Sequence, residues 1–304
     1  MYETLNLQLP SPVTQIHDRL LDQKNIKLFI KRDDLIHPHI QGNKWRKLKY
    51  NLIDASTRNL DTLLTFGGAF SNHVHATAAA GHLLGFKTIA IIRGEESLPL
   101  NPTLQDATDW GMKINYICRS QYREKSSAEF IKQLKQQYGD FFLIPEGGSN
   151  SNALTGCEEL TKELDEDYDF VCAACGTGAT LAGIIRGLTN RSKTLGFSIL
   201  KGDDYIEQEI NNFLGNANTS RQFNWAINTD YHFGGYAKTN RQLNSFIMEF
   251  YSKYNIQLEP VYTGKMFYGL FDLIKQDYFE AETKILAIHT GGLQGLRGFK
   301  LEKT

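Results

Sequence analysis

This chain of 304 residues lacks the features that mark several classes of protein. Its 33 Lys and Arg residues are balanced by 34 Asp and Glu residues, so no basic surface for nucleic acid is indicated. No apolar run is long enough to cross a membrane, and the first residues lack the basic and apolar regions of a signal peptide. These absences predict a cytoplasmic enzyme with neither a nucleic-acid nor a membrane partner.

Cysteine is scarce as well. Four cysteines in a chain of this size are too few and too scattered for a disulfide framework. Two of them, Cys172 and Cys175, have the C-x-x-C spacing of redox and metal sites, but residues 170–175 have the pattern of a buried strand. We therefore expect small core side chains here rather than redox chemistry.

Histidine gives little support for a metal site. His73 and His75 are two residues apart in a helical pattern, so their side chains diverge, and His82 completes no known zinc motif with them. We therefore expect no catalytic metal.

Strand-like apolar runs alternate with helical patterns, which is typical of an α/β protein with a parallel sheet covered on both faces. The clearest strand candidates are residues 28–31, 62–66, 88–92, 141–144, 170–174, 196–200 and 284–289. Several end in glycine-rich turns, and open α/β sheets bind ligands beyond the carboxyl ends of their strands. We therefore expect these turns to converge on one crevice. The polar stretch 201–228 predicts only helix and loop.

The most informative segment is Gln-Gly-Asn-Lys-Trp-Arg-Lys-Leu at residues 41–48. Asn43 is a good helix N-cap, and apolar residues then recur at helical spacing, which puts Lys44 in the first turn. The positive end of the helix dipole lowers the pKa of this amine, as Schiff-base chemistry requires. Taken alone, the segment fits an ordinary solvated lysine better, and Lys47 and Lys49 beside it look like surface charges. The glycine-rich turns reverse that preference.

Two glycines follow the strand candidate at residues 62–66 and lead into an alanine-rich helical pattern. Gly67 and Gly68 let a ligand approach the backbone, and free N–H groups at a helix start bind anions such as an amino-acid carboxylate. Ser71 and Asn72 would then face the ligand. Simple N-capping is an equally good interpretation of this segment alone.

The run Gly-Thr-Gly-Ala-Thr at residues 176–180 joins a strand candidate to an apolar helix. Successive N–H groups in such a turn form a phosphate cradle, with the hydroxyls of Thr177 and Thr180 as further donors. A dinucleotide fold is disfavoured, because Leu181 replaces the third glycine of its motif and no acidic residue follows about 20 residues later. We therefore expect a single phosphate.

The last strand candidate runs into a glycine turn and places the hydroxyl of Thr290 where a ligand could meet it. Just upstream, Tyr262 is a candidate acid or base, although a single tyrosine after a valine is more often a packed residue.

Four motifs follow one another in an order that resembles the fold-type II pyridoxal-phosphate enzymes, and within them the 1-aminocyclopropane-1-carboxylate deaminase and D-cysteine desulfhydrase family. They lie at residues 31–34, 42–48, 144–150 and 260–265, and the resemblance covers nearly the whole chain. It implies an α/β fold of two lobes, each an open, mostly parallel twisted sheet covered by helices. The expected division is a large cofactor-binding lobe of residues 1–44 and 158–304 and a small lobe of residues 45–157, in a homodimer.

The resemblance also implies roles for individual residues, with pyridoxal 5'-phosphate as cofactor and a small amino acid as substrate. Lys44 would carry the cofactor and later move the α-proton, and Asn72 would hydrogen-bond the cofactor's 3-oxygen. Ser71, Asn72 and His73 would hold the substrate. The remaining expected positions are the phosphate loop at Gly176, Thr177, Gly178, Ala179 and Thr180, the substrate side at Tyr262 and Tyr236, and the pyridine nitrogen at Thr290.

Two positions separate the branches of this family. The deaminases resemble one another in having Glu and Leu where this chain has Thr263 and Thr290. Opening a cyclopropane ring needs a strong electron sink, which a carboxylate at the pyridine nitrogen provides by keeping it protonated, whereas a hydroxyl suffices for β-elimination. We therefore expect a D-cysteine desulfhydrase type of lyase that forms pyruvate, ammonia and sulfide. The alternatives are the deaminase, a lyase acting on serine or other β-substituted alanines, and a non-catalytic cofactor carrier.

Overall fold

The computed structural model describes residues 2–189, 191–202, 204–215 and 223–299. Its strands are β1 (Val13–Ile16), β2 (Lys27–Lys31), β3 (Thr62–Gly67), β4 (Lys87–Arg93), β5 (Lys113–Ile117), β6 (Phe142–Ile144), β7 (Phe170–Cys175), β8 (Lys193–Ser198), β9 (Trp225–Asn228) and β10 (Lys284–Ile288). They form a six-stranded sheet in the order β1-β2-β10-β7-β8-β9 and a four-stranded sheet in the order β5-β4-β3-β6. Neighbouring strands are parallel except for the antiparallel pair β1 and β2.

Helices cover both faces of each sheet. They are α1 (Arg19–Lys24), α2 (Asn43–Thr57), α3 (Asn72–Leu84), α4 (Pro102–Asp109), α5 (Arg119–Arg123), α6 (Ala128–Tyr138), α7 (Ser151–Lys162), α8 (Ala179–Leu188), α9 (Asp204–Leu214), α10 (Arg241–Tyr254) and α11 (Thr263–Lys275). The six-stranded sheet packs against α1, α10 and α11 on one face and α7, α8 and α9 on the other. The four-stranded sheet packs against α2 and α3 on one face and α5 and α6 on the other. The predicted two-lobed α/β fold is confirmed.

All seven predicted strands are present, and their burial explains why they were recognisable. The central strand β3 is buried at all six positions, as a parallel strand covered on both faces must be. The strand expected at residues 196–200 begins three residues earlier, at Lys193. The sequence missed β1, β5 and β9, which are edge strands with half-exposed side chains and no continuous apolar run.

The polar stretch 201–228 contains α9 and β9, so the expectation of helix and loop omitted a strand. Part of that stretch, residues 203 and 216–222, lies outside the described residues. The lobe boundaries after residues 44 and 157 stay a proposal. The second of them falls inside α7, whose Leu154 and Leu160 pack with α8.

Candidate functional site

The glycine-rich turns converge, as predicted, on one cleft of about 340 Å³ between the two sheets. The four-stranded lobe contributes the turn after β3 and the turn after β6, and the six-stranded lobe contributes the turns after β7 and β10. Most of the predicted site residues line this cleft: Lys44, Ser71, Asn72, His73, Gly176, Thr177, Gly178, Thr180, Tyr236, Tyr262 and Thr290. Ala179, the remaining one, is the buried first residue of α8.

The start of α2 is fixed by a contact that only glycine permits. The N-cap is Gly42, with φ 55°, and not Asn43 as predicted. A Cβ atom on Gly42 would lie 2.0 Å from the carbonyl oxygen of Thr290, so α2 begins in direct contact with the turn after β10. Asn43 is instead the first helical residue, and its Nδ2 donates to Oγ1 of Thr180, 3.0 Å away at the start of α8. The start of α2 is therefore joined both to the turn after β10 and to the start of α8.

Lys44 lies in the first turn of α2, as predicted, with its amine at the cleft. The side chain is half-buried, and Nζ donates to Oδ1 of Asn43 at 3.1 Å. Burial, followed by the nearby charge of Lys47, lowers the pKa of Lys44 to about 7. A substantial share of this amine is therefore neutral near pH 7, and only the neutral form is a nucleophile.

Lys47 is not the surface charge that the sequence suggested. It is 2% exposed, and Nζ donates to the carbonyl oxygen of Gly147 at 3.1 Å and to the hydroxyls of Ser149 and Thr177 at 3.2 and 3.3 Å. Burial lowers its pKa. Because Lys44 and Lys47 are three residues apart on one helix, they share a face, and this spacing was the signal that could have identified Lys47.

The turn after β7 has the form of an anion cradle. Gly178 is the N-cap of α8 with φ 80°, and the first N–H groups of a helix have no partner within the helix. The hydroxyl of Thr177 lies 2.7 Å from that of Ser149, on the side where Lys47 reaches the turn. The described residues include no carboxylate within ion-pair distance of Lys44 or Lys47. The combination of free N–H groups, hydroxyls and a buried unpaired cation fits a phosphate.

At the start of α3, Ser71 lies where both of its interpretations would place it. Its hydroxyl caps the helix by accepting from the N–H of Val74 at 3.2 Å, and the residue also lines the cleft. His73 is buried, and its Nε2 lies 2.8 Å from Oγ1 of Thr65, which donates to the carbonyl oxygen of Ile144. Burial, followed by the charges of Lys44 and Lys47, lowers the pKa of His73 well below its ordinary value, so the ring is neutral.

Two tyrosines stand together on the opposite side of the cleft. The ring centres of Tyr236 and Tyr262 are 6.2 Å apart, and Nζ of Lys44 is 6.0 Å from the centre of the Tyr262 ring. Tyr262 packs on the phosphate-type turn, since a Cβ on Gly176 would lie 3.0 Å from its ring. Burial, Tyr236 and Glu259 raise the pKa of Tyr262 well above its ordinary value. Tyr262 therefore keeps its proton near pH 7 and can act as a donor.

The two threonines that the sequence paired have different surroundings. Thr290 lines the cleft at the end of β10. Thr263 is fully buried outside the lining, and its N–H and hydroxyl donate to Oε1 of Glu259 at 2.6 and 3.1 Å. Of the two positions that separate the branches of the family, only Thr290 lines the cleft, because the buried carboxylate of Glu259 accepts from the Thr263 hydroxyl. No pattern in the sequence sets Glu259 apart from the other acidic residues.

The other candidates have structural surroundings. Cys172 and Cys175 are free, buried residues of β7, which confirms them as core side chains. His75 contacts Asp106 at 2.9 Å, and within the described ranges no group of three histidine, cysteine or acidic residues could hold a metal. No helix in the same ranges is long and apolar enough to span a membrane.

The residues of the cleft fit pyridoxal 5'-phosphate. A neutral amine suits its aldehyde, and the turn at residues 176–180 together with Lys47 suits its phosphate. Asn72 and Thr290 add polar groups between these two points on the wall of the cleft.

Comparison with known proteins agrees with this fit. Residues 6–291 match the family described as pyridoxal-phosphate dependent enzyme. The chain is 32% identical to the mitochondrial bifunctional D-cysteine desulfhydrase/1-aminocyclopropane-1-carboxylate deaminase of Arabidopsis thaliana, over 89% of this chain and 73% of that protein. It is 29% identical to the D-cysteine desulfhydrase of Klebsiella pneumoniae, over 94% and 93% of the two chains.

A solved structure gives the same result. The crystal structure of an ACC deaminase homologue superimposes with a TM-score of 0.81 at 30% identity, covering 94% of this chain and 90% of the other. The family match, the relatives and the shared fold show that the chain belongs to the pyridoxal-phosphate-dependent enzymes, in the family of 1-aminocyclopropane-1-carboxylate deaminase and D-cysteine desulfhydrase.

Proposed function

We propose that this enzyme catalyses β-elimination from a cysteine-like amino acid, in the manner of D-cysteine desulfhydrase, and forms pyruvate, ammonia and sulfide. One observation carries the proposal: Thr290 lines the cleft just after β10, and the oxygens of the buried carboxylate Glu259 accept from N–H groups at the start of α11. When bound, the cofactor supplies an electron sink for the substrate α-carbon.

The hydrogen bonds of Glu259 explain why its carboxylate does not interact with a ligand in the cleft. Oε1 accepts from the N–H groups of Tyr262 and Thr263 at 2.8 and 2.6 Å, and Oε2 accepts from the N–H of Val261 at 2.7 Å. Both oxygens are thus used at the N-terminus of α11, where a carboxylate is also favoured by the helix dipole. A neutral hydroxyl facing the pyridine nitrogen gives a weaker sink than a carboxylate. A weaker sink is sufficient when a thiol leaves from the β-carbon.

The chemistry of the elimination follows from the properties of three side chains. We assign to Lys44 the covalent attachment of the cofactor and the transfer of the α-proton, because its lowered pKa makes the neutral amine available near pH 7. Ser71 and the N–H groups at the start of α3 would hold the substrate carboxylate. Tyr262, which keeps its proton, would donate a hydrogen bond on the side of the leaving group.

Tyr236 completes that side of the cleft. Its edge meets the Tyr262 ring at an interplanar angle of 75°, and partial burial raises its pKa. Two protonated phenols beside the β-carbon suit the departure of a thiolate, which needs a donor as charge develops on sulfur. We propose that Tyr236 orients Tyr262 and helps to exclude water.

The competing function is 1-aminocyclopropane-1-carboxylate deamination. The name of the Arabidopsis relative includes both activities, so membership in the family does not separate them. The deaminase would need the stronger electron sink discussed above. The surroundings of Thr290 and Glu259 favour the desulfhydrase.

A substrate panel tests the proposal. Purified enzyme is assayed for pyruvate and sulfide with D- and L-cysteine, D-serine, β-chloro-D-alanine and aminocyclopropane carboxylate. We expect sulfide and pyruvate in equal amounts from one cysteine enantiomer, with much slower release of the ring-opened product from aminocyclopropane carboxylate. Efficient ring opening with no sulfide from either enantiomer would contradict the proposal.

The matched variants Thr290→Ser and Thr290→Val test the part that Thr290 plays in the proposed reaction. Thr290→Ser keeps the hydroxyl and should retain most of the elimination rate. Thr290→Val removes the hydroxyl at nearly constant volume and should lower the elimination rate by about five- to tenfold, as expected for a hydrogen bond worth about 1–1.5 kcal/mol. Equal rates in the two variants would show that the hydroxyl has no part in the reaction.

A further inference from the structure

Asn72 lies in the first turn of α3 and lines the cleft, with one end of its amide already occupied. Its Oδ1 accepts a short hydrogen bond from Nε2 of Gln294. Among the described residues its Nδ2 donates to nothing. The acceptor of this amide is therefore used within the protein, while its two N–H donors remain for whatever the cleft binds.

Gln294 is itself held in one orientation by a second residue. Its Oε1 accepts from the hydroxyl of Thr103 at 2.7 Å, and Thr103 is 1% exposed in the first turn of α4. Because Thr103 donates to the oxygen end of the Gln294 amide, the nitrogen end points at Asn72. The order of donors therefore runs from Thr103 through Gln294 to Asn72.

The backbone beside this chain of hydrogen bonds packs closely on Asn72. A Cβ on Gly292 would lie 2.7 Å from Nδ2 of Asn72, and Gly292 has φ 84°. The segment Leu293–Gly298, which carries Gln294, follows β10 of the six-stranded lobe, whereas Asn72 and Thr103 belong to the elements of the four-stranded lobe. A second contact, between Arg297 and Asp106, joins the same segment to α4. Gln294 thus spans the two lobes beside the cleft.

We propose that Gln294, oriented by Thr103, is a positioning residue that directs the Asn72 amide N–H into the cleft, so that Asn72 donates to the 3-oxygen of the cofactor. This inference rests on the proposed pyridoxal-phosphate function and on the role that the family resemblance implies for Asn72, and it adds the groups that set the polarity of the amide. A donor at this oxygen stabilises its ionised form. Loss of either positioning residue would let the Asn72 amide turn over and present Oδ1, which repels an ionised oxygen.

The test uses matched variants of the holoenzyme. Thr103→Val removes the hydroxyl and Thr103→Ser keeps it. Gln294→Leu removes both the acceptor of the Thr103 hydroxyl and the donor to Asn72. Two properties are measured apart from activity: the pH midpoint of the absorbance band of the bound cofactor, and the rate at which cofactor leaves the holoenzyme during dialysis. We expect the midpoint to rise and the release to become about three- to tenfold faster in Thr103→Val and Gln294→Leu. Thr103→Ser should behave as the wild type.

The same substitutions in an Asn72→Ala background separate positioning from a general structural effect. In this background Thr103 and Gln294 have no amide to orient, so Gln294→Leu and Thr103→Val should cause no further change in the pH midpoint. Equal effects with and without Asn72, or a lower melting temperature with an unchanged midpoint, would overturn the inference alone. An Asn72→Ala enzyme with the wild-type midpoint and release rate would instead refute the role proposed for Asn72, and the inference with it.

Discussion

The first turns of α2 place cations in two regions that differ in one respect. Arg46 is 3% exposed and is bound by two carboxylates: its guanidinium lies 2.6 Å from Asp33 and 2.9 Å from Glu163. On the cleft side of the same helix, Lys44 and Lys47 have no acidic partner within ion-pair distance among the described residues. One region contains a guanidinium paired with two carboxylates. The other contains two amines with no carboxylate partner in the described residues, beside the cleft where a ligand would bind.

The pKa values record this difference. Burial acts to lower the pKa of Arg46, but the charge and hydrogen bonds of Asp33, followed by those of Glu163, raise it above its ordinary value. Burial also lowers the pKa values of Lys44 and Lys47, and no carboxylate reverses the shift. Burial alone disfavours the charged form, and only a partner restores it. Within α2, the two lysines without a carboxylate partner in the described residues therefore line the cleft, whereas the paired arginine joins α2 to the scaffold.

The largest effect should come from Lys44 itself. Lys44→Ala should remove the covalent attachment of the cofactor and reduce the elimination rate by a factor on the order of 10⁴, the upper range for loss of a general base. Borohydride reduction followed by peptide mapping should place the adduct on Lys44 in the wild type and find none in the variant. An adduct on Lys47 or Lys265 would break the comparison, because the lowered pKa would then mark the wrong amine.

Substitution of Arg46, in the paired region, should lower the stability of the protein. Arg46→Met leaves Asp33 and Glu163 without their shared partner, so the free energy of unfolding should fall by about 3–5 kcal/mol. The control is Arg58→Met at the other end of α2, where an exposed ion pair with Asp54 contributes only about 0.3–0.5 kcal/mol. Denaturant unfolding of both variants measures the difference. A similar loss in both would mean that burial and pairing at Arg46 carry no special weight.

Lys47 should show the opposite pattern from Arg46. Lys47→Met should speed release of the cofactor from the holoenzyme by about ten- to a hundredfold, since a hydrogen bond to a charged group contributes about 1.5–3 kcal/mol. The cofactor-free protein should unfold at an unchanged or higher temperature, because an unpaired buried charge is lost. Lys49→Met, which removes a pair with Glu159 outside the cleft, is the control. Normal cofactor retention in Lys47→Met would argue against a phosphate beside this amine.

The effect that is smallest over a single pH unit is the dependence of stability on pH. The folded-state pKa of Lys44 is about 7, against an ordinary value of 10.5, so between these values the unfolded chain binds more protons than the folded one. The stability of the cofactor-free protein should therefore rise with pH across this window, by at most about 1.4 kcal/mol per pH unit from this residue. Lys44→Met should remove that part of the rise. An identical pH profile of the melting temperature in both proteins would contradict the lowered pKa.

Much of this site could be predicted because its signals are local. Lys44 stands behind a glycine turn at the start of a periodic helix, and the turn at residues 176–180 stands between a buried strand and an apolar helix. Lys47, by contrast, resembled its neighbour Lys49. Its partners at Gly147 and Thr177 are 100 and 130 residues away along the chain, so its spacing of three residues from Lys44 is the local signal that sets it apart from Lys49.

The sequence by itself determined the order of the buried strands and of the glycine turns that follow them, because hydrophobic periodicity and the conformational range of glycine act over a few neighbouring residues. The tertiary structure alone decided which polar groups are paired. Glu259 accepts a hydrogen bond from the hydroxyl of Thr263, and the oxygen of Asn72 accepts one from Gln294. Lys47 has no carboxylate partner in the described residues. The physical reason is that burial and pairing set the energy of a polar group, and both depend on segments that folding brings together from distant parts of the chain.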